Sequence, residues 1–560
     1  MPSTRLTLVL NTSQNLRCPL LLSSSSPDCK VAIFTTAKSK LRLKKPSRVF
    51  LPGGHELHTS VDILAVLKKD LTLLISAGED YVGAVSAVHS PSTSAATGSD
   101  TAATVHTVTS ELSLDPQSIT QLETCARLPG MISAVGLPDL HPGTKFPIGC
   151  TFVSDGYIHP PLIGGDIGCG MSWYRTTLKS QKLEDASSVK RVAETLRGVE
   201  GEWMGTSERE WWLSCSSDQD AASEETKSLS VGEEWDRYLG TIGSGNHFAE
   251  IQVVEEIIPY TYPPEFGGNV YTPPFTAGEV LLLVHSGSRG YGQHVLSQFY
   301  NPTSDSASDS AISIPADDPK AHAYLALHDG ACAWARRNRD LIALRFLHCL
   351  EGAAWESPSP HSHSSIRALN AAVQTRKVLD IHHNNVTTTP WPPSPADSPA
   401  VPQKQVYIHR KGAAPSTPLI PFLPLPGSRG TPTLMLRPLF TPATGHGAVN
   451  ALSLAHGAGR AMSRAKARVG IARKYNNDTD VLTSMKPFSR GNSSGGGKSG
   501  KGSVLKGAGW VVCDDKELVW EEAPEAYKDV EMVGEDMRRC GVAEVVGRCV
   551  PRVTYKVRKE

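Results

Sequence analysis

A chain of 560 residues, 39% hydrophobic and 20% charged, has the material for a large core and falls outside the compositions of disordered or collagen-like chains. Lysine plus arginine and aspartate plus glutamate number 56 each, so no whole-protein field draws in nucleic acid or an anionic membrane, and any phosphate-binding surface must be local. No apolar run reaches the roughly 18 to 20 residues of a membrane span, and the eleven cysteines include no Cys-x-x-Cys pair of a zinc ribbon or thioredoxin-like centre.

From the beginning of the chain, residues 6–10 and 31–36 read as short strands, and the alternating polarity of 38–45 as an exposed strand. Arg5, Arg17 and many serines precede the first acidic residue, Asp28, a pattern shared with mitochondrial transit segments. The strand reading is preferred, which places the protein in the cytosol or nucleus. Stretches 90–110, 214–228, 303–318, 357–365, 387–403 and 490–502 are rich in Ser, Pro, Gly or Ala, lack an apolar period and read as disordered insertions or surface loops. Gly496-Gly-Lys-Ser-Gly-Lys501, in the last of them, does not complete a phosphate-loop pattern and reads as linker. Between insertions, 280–284 and 406–408 read as buried strands, and 319–349 and 452–469 as helices. The fold class is therefore α/β or α+β. Residues 1–112 form a β-rich N-terminal part, and 113–560 a single catalytic domain carrying the later insertions.

Five short motifs set a His, Cys or Asp in or beside a tight turn: Gly164-Gly-Asp166-Ile-Gly-Cys169-Gly170, Gly243-Ser-Gly-Asn246-His247-Phe-Ala-Glu250, Val284-His285-Ser-Gly-Ser-Arg289-Gly290, Ile381-His382-His383-Asn384 and Ala455-His456-Gly-Ala-Gly-Arg460. Glycine lets backbone approach a ligand closely. One such His is more often structural than a ligand, and a lone Cys is usually a small buried hydrophobe. Together they supply enough nitrogen, oxygen and sulfur donors for one or two divalent ions, although the donor set alone does not choose the metal.

In this order and with these neighbours, the motifs resemble the RtcB family of RNA-splicing ligases, especially its divergent branch coupled to a release-factor-H-like protein. The upstream Arg127-Leu-Pro-Gly130, Leu137-Pro-Asp139-Leu-His141-Pro-Gly and Phe146-Pro-Ile-Gly149 resemble the same family's entry motif, and the likeness runs from about Leu122 to the C-terminus. The resemblance implies a layered α/β sandwich and a GTP- and manganese-dependent enzyme. It would join 2′,3′-cyclic phosphate or 3′-phosphate RNA ends to 5′-hydroxyl ends through a GMP-histidine intermediate, in RNA repair or tRNA splicing. It implies that Asp166, Cys169, His247, His285 and His383 hold two manganese ions, with Cys169 bridging, and that His456 receives GMP.

The resemblance further assigns Asn246, Glu250, Ser428, Thr433, Gly457, Ala458, Gly459 and Lys556 to the guanylate site, and Arg289, Arg410, Lys411, Arg460 and Arg464 to RNA phosphates, where Arg offers a fork of donors and Lys a point charge. The partners it implies are RNA and an archease-like activator, with no membrane. Arg429 and Thr433 stand where the family usually has Met and Ser, and Pro432 stiffens the loop beside them. Two other readings stay open here: a metal-dependent phosphodiesterase or phosphatase without guanylate transfer, and a non-catalytic RNA-binding paralogue.

Overall fold

The protein, seen in a computed structural model, is described over residues 3–11, 13–23, 29–51, 56–57, 59–60, 63, 71–79, 103–215, 228–262, 268–300, 312–355, 361–394, 403–485 and 509–557. The chain separates into two compact units, Met1–Asp100 and Thr101–Glu560. No described helix is long and apolar enough to cross a membrane.

In the first unit, strands Ser3–Leu10 and Ser13–Ser23 form a hairpin, helix Cys29–Lys40 follows, and strands Arg48–Phe50 and Leu71–Ser76 complete a four-stranded sheet. Ser3–Leu10 runs parallel to Leu71–Ser76 and antiparallel to Ser13–Ser23, a β-grasp order whose helix shares a core with Leu6, Leu8, Leu73 and Ile75. The expected strand at 6–10 is present, but 31–36 is helical. Cys29, Ile33 and Ala37 recur every fourth residue on the buried side, so tertiary packing overrides the strand preference of Val31 and Ile33. The alternation at 38–45 belongs to the last turn of this helix and the loop after it, not to a strand.

The second unit is layered as helix, sheet, sheet and helix. Its nine-stranded sheet has Lys377–His382, Gly170–Arg175, Val280–Ser286, Phe248–Ile257 and Ala543–Tyr555 as consecutive neighbours. Val280–Ser286 is buried throughout, as a strand covered on both faces must be, which explains its unbroken apolar run. On one face Leu282 and Val284 share a core with Tyr324, Trp334 and Ile342 of the long helix Pro319–Glu351. On the other, Leu281 and Leu283 share one with Leu137, Val406 and Ile408 of a five-stranded sheet, whose far side packs helix Pro116–Cys125 through Leu122.

The long helix starts at Pro319 behind Asp318, whose carboxylate accepts the Lys320 amide. Residues 452–469, expected as helix, instead hold strand Ser453–Ala455, a glycine-bearing turn and only the start of helix Arg464–Lys474. Gly457 and Gly459 disfavour a helix there, and the strand pairs with Ala413–Pro415. Parts of the expected insertions are ordered as strand Thr104–Thr107, the start of helix His363–Arg376 and the end of strand Asn384–Trp391. Residues 90–102, 216–227, 303–311, 357–360, 395–402 and 490–502 of those insertions lie outside the described residues.

Candidate active site

The ligand candidates meet because antiparallel neighbours bring opposite chain ends to one edge of the large sheet. Cys169 precedes the strand beginning at Gly170, His247 precedes the one beginning at Phe248, His285 closes Val280–Ser286, and His383 follows Lys377–His382. The register pairs His285 with both Phe248 and Met171, and His382 with Gly170, so all four groups sit at one level. Lys556 follows Tyr555, which pairs with Ala249, and joins them.

Cys169 Sγ lies 3.2 Å from His247 Nε2 and 3.3 Å from His285 Nε2. His247 Nε2 is 2.8 Å from Asp166 Oδ2, and His285 Nε2 is 3.2 Å from His383 Nε2. The Nδ1 atoms of His285 and His383 are buried and have no hydrogen-bond partner among the described residues. Two imidazole nitrogens facing each other share at most one proton, so this convergence fits a cation better than a hydrogen-bond network. Burial pushes the Cys169 thiol far up, and the Asp166 carboxylate adds to it. Burial likewise drives His285 and His383 far down, which keeps them neutral and able to ligate. It opposes the charged form of Asp166 too, yet the charge of His247 and its hydrogen bond bring that carboxyl down to about 2. A bound divalent ion would supply the positive charge the thiolate needs, so the residues fit a metal. Gly287 leaves room for the Asp166 carboxylate, which an added Cβ would meet at 2.1 Å from Oδ1 and so push out of its place.

His456 stands beside this cluster, its ring centroid 4.6 Å from His383 and 6.4 Å from His285. Its Nδ1 is 2.8 Å from Oδ2 of the fully buried Asp139, which leaves Nε2 to act. At Gly412, with φ of 61°, an added Cβ would meet the imidazole Cε1 at 2.8 Å, so only glycine lets this turn pass the ring.

A cavity of about 950 Å³ takes in Asp166, Cys169, His285, His383 and His456 together with Asn246, Glu250, Ser428 and Lys556. Glu250 accepts from Gln252 at 2.8 Å and from Thr554 at 2.5 Å, and burial raises its carboxyl to about 7. Lys556, lowered by burial, donates to the His247 carbonyl at 3.0 Å. Gly457, Ala458 and Gly459 line the same space, and the Ala458 amide donates to the Pro426 carbonyl at 3.0 Å. Thr433 does not line it. Its hydroxyl accepts from Gln252 at 2.7 Å and so reaches Glu250 only through that amide. The unusual Arg429 is buried and donates to the Val519 carbonyl.

The basic candidates divide. Lys411, Arg460 and Arg464 line the cavity, and Arg289 begins helix Arg289–Phe299 with its Nε 3.1 Å from Thr241 Oγ1. Arg460 already holds Glu522 at 3.0 Å and the Glu521 carbonyl at 2.8 Å. Arg410 departs from the expectation of an RNA-facing side chain: it is buried and spends its donors on Ser453, Thr387 and the Leu452 carbonyl. Strand alternation turns it inward while Lys411 beside it faces the cavity.

Sequence reasoning passed over Asp139, although it lies within a quoted motif, and the pair Asn338 and Arg339 in the long helix. Asn338 accepts the Gly240 amide at 2.7 Å and donates to the Thr241 and Gly287 carbonyls at 3.2 and 3.1 Å. Arg339 reaches the Gly168 and Ser286 carbonyls at 2.9 and 3.0 Å and Asp380 at 2.5 Å. The pair thus braces the loops carrying Cys169, His247 and His285. Arg339→Met should destabilise the protein by about 3–5 kcal/mol, because Asp380 loses its closest cation inside the core; urea unfolding in chelator measures this apart from metal binding. A loss below 1 kcal/mol would show that the brace is dispensable.

A family model described as tRNA-splicing ligase RtcB matches residues 121–486. The RNA-splicing ligase RtcB2 of Escherichia coli is 32% identical over 453 residues, 81% of this chain and 95% of that protein. RNA-splicing ligase RtcB homolog 1 of Entamoeba dispar is 26% identical over 79% of this chain and 82% of its own length. The tRNA-splicing ligase RtcB of Aeropyrum pernix is 26% identical over 75% and 86%, respectively. The metal-ligand candidates and His456 fall within the matched residues, and Lys556 and the first compact unit fall outside them.

Proposed function

This chain belongs to the RtcB family and is an RNA ligase, and we propose that it seals 2′,3′-cyclic phosphate or 3′-phosphate RNA ends to 5′-hydroxyl ends through GMP carried on His456. The observation that carries the reading is His456, held at Nδ1 by Asp139 and set beside the Asp166, Cys169, His285 and His383 donors in one cavity with Glu250 and Lys556, with His247 against Cys169 and Asp166. Those five donors would hold two manganese ions, which when bound neutralise charge on phosphate oxygens and align a pyrophosphate leaving group. His456 Nε2 attacks the α-phosphorus of GTP; the N–P bond forms, the P–O bond to pyrophosphate breaks, and Asp139 stabilises the proton kept on Nδ1. After hydrolytic opening of any cyclic phosphate, an oxygen of the RNA 3′-phosphate takes GMP from His456. The 5′-hydroxyl then attacks that 3′-phosphate, expels GMP and leaves a phosphodiester.

Lys411 and Arg464, which line the cavity, are read as partners of the RNA phosphates near the junction, Arg289 as a further one outside that lining, and Arg460 orders Glu522 beside them. RNA repair, an archease-like activator and placement in the cytosol or nucleus belong to the same reading. Incubation with α-labelled GTP and manganese tests it. An acid-labile adduct that chelator abolishes supports guanylation, whereas phosphate release from RNA 3′ ends without any adduct would favour a phosphatase.

Glu250 is read as the acceptor for the guanine ring N–H and amino group. Two of its roughly four lone-pair sites are used by Gln252 and Thr554, leaving others for the base. With its carboxyl raised to about 7 by burial, the accepting ionised form is scarce below that pH and dominates above it. GTP binding should therefore tighten from pH 6 to pH 8. Glu250→Gln should lose that dependence and bind GTP about 10- to 100-fold more weakly, measured by titration calorimetry at each pH. An unchanged pH profile in the variant would remove Glu250 from base recognition.

A further inference from the structure

We propose that the first compact unit carries an RNA-tethering surface, formed by Lys38, Lys40, Arg42, Lys44 and Lys45, that holds substrate strands by their phosphates outside the catalytic cavity. The proposal rests on the chain being an RNA ligase and not on the guanylation chemistry. In a chain whose opposite charges balance, six of the eleven residues from Lys38 to Arg48 are cationic and none is acidic. All five named side chains are exposed, and none is paired with a carboxylate among the described residues. Arg48 is the exception, held by Glu56 at 2.7 Å. Lys38 and Lys40 lie in the last helical turn, where the helix dipole alone favours a cation. Arg42, Lys44 and Lys45 lie beyond the helix, so the dipole does not account for them.

The loop that presents them is fixed. Leu41 is buried in the unit's core and Leu43 packs against it, both backbone amides donate to the Ala37 carbonyl, and the cations between and after them turn outward. Arg42 holds φ at 56°, a left-handed conformation in which helices commonly end on glycine. No exposed large apolar side chain lies between Lys38 and Arg48 to insert into a bilayer, which favours a hydrated polyanion over a lipid surface. The unit also lies outside the residues matched by the family model, so the surface is an addition to the matched catalytic region.

The test uses the full chain and a variant carrying Lys38→Gln, Lys40→Gln, Arg42→Gln, Lys44→Gln and Lys45→Gln, with fluorescence anisotropy on a long single-stranded RNA in chelator without GTP, across a salt series. Each phosphate neutralised on a single strand contributes about 0.7 to the slope of log affinity against log salt, so losing three to five contacts should lower that slope by about 2 to 3.5. Affinity at low salt should fall at least tenfold, while thermal stability and joining of short RNA ends stay unchanged. Arg42→Gly removes one charge and eases the backbone, and should lower the slope by about 0.7; it decides the matter if the multiple variant does not fold. An unchanged slope and affinity would overturn the proposal, as would loss of binding to phosphatidylserine vesicles with RNA binding intact. Because binding is read without nucleotide or metal, a failure of guanylation leaves this result interpretable.

Discussion

His456→Ala is expected to abolish the labelled GMP adduct and to slow RNA joining by about 10⁴-fold or more, because the imidazoles in ring contact with His456 and the Glu250 and Lys556 side chains are already engaged. The closest imidazoles, His285 and His383, turn their Nε2 atoms toward each other and the Cys169 thiol. Were those nitrogens to hold a metal, they would have no lone pair for phosphorus. Glu250 is held by Gln252 and Thr554, and Lys556 by the His247 carbonyl. The variant should still fold. Its chief cost is that Asp139, whose Oδ1 already has no hydrogen-bond partner among the described residues, loses the partner of Oδ2 as well, about 1–3 kcal/mol for such a group. Label from α-labelled GTP retained on the protein, and lost on acid or hydroxylamine treatment, reads the adduct, and thermal unfolding reads the fold. A labelled adduct that persists in the variant would transfer the nucleophile to another residue and end the assignment.

What the sequence made legible was the chemistry carried by contiguous motifs. Asp166 and Cys169, Asn246 and His247, and His285 and Arg289 each stand within a few residues of one another, so donor types and turns are visible together. The long helix was legible because its Ala, Leu and Trp residues repeat at helical spacing behind Asp318 and Pro319. What pattern reading missed were partnerships made only in three dimensions. Arg410 and Lys411 are adjacent cations, and only the pairing of Lys404–Lys411 with Asn384–Trp391 and Ile148–Ser154 decides which faces solvent. Asn338 and Arg339 sit in the run Arg336-Arg-Asn-Arg-Asp340, which looks like a solvated face until the layers close over it. The helix Cys29–Lys40 was misread because its inward residues, Ile33 and Ala37, are interleaved with β-branched Val31, Thr35 and Thr36, so local preference pointed away from the packed solution.

Asp139 is the most consequential of the residues passed over, and Asp139→Asn should slow adduct formation by about 10²- to 10⁴-fold while leaving GTP affinity and thermal stability near their original values. The carboxylate is buried, and its Oδ2 accepts from His456 Nδ1 at 2.8 Å. The backbone on either side of Asp139 is held by Lys528, whose ammonium donates to the Pro138 and Leu140 carbonyls at 2.8 Å. The Lys528 amide also donates to the Gly459 carbonyl at 3.0 Å, so one residue joins the strand carrying Asp139 to the turn that follows His456. Asparagine is nearly the same shape, so packing survives. If its amide nitrogen faces the ring, it donates to Nδ1, moves the imidazole proton to Nε2 and removes the lone pair that attacks phosphorus. If its oxygen faces the ring, the tautomer is kept but the charge that steadies the developing imidazolium is lost. Both arrangements slow the chemical step and not binding, a separation that a merely structural role would not produce. Single-turnover labelling at saturating GTP, set beside calorimetric binding and thermal unfolding of the same variant, distinguishes them; labelling at the original rate would mean that His456 needs no orienting carboxylate.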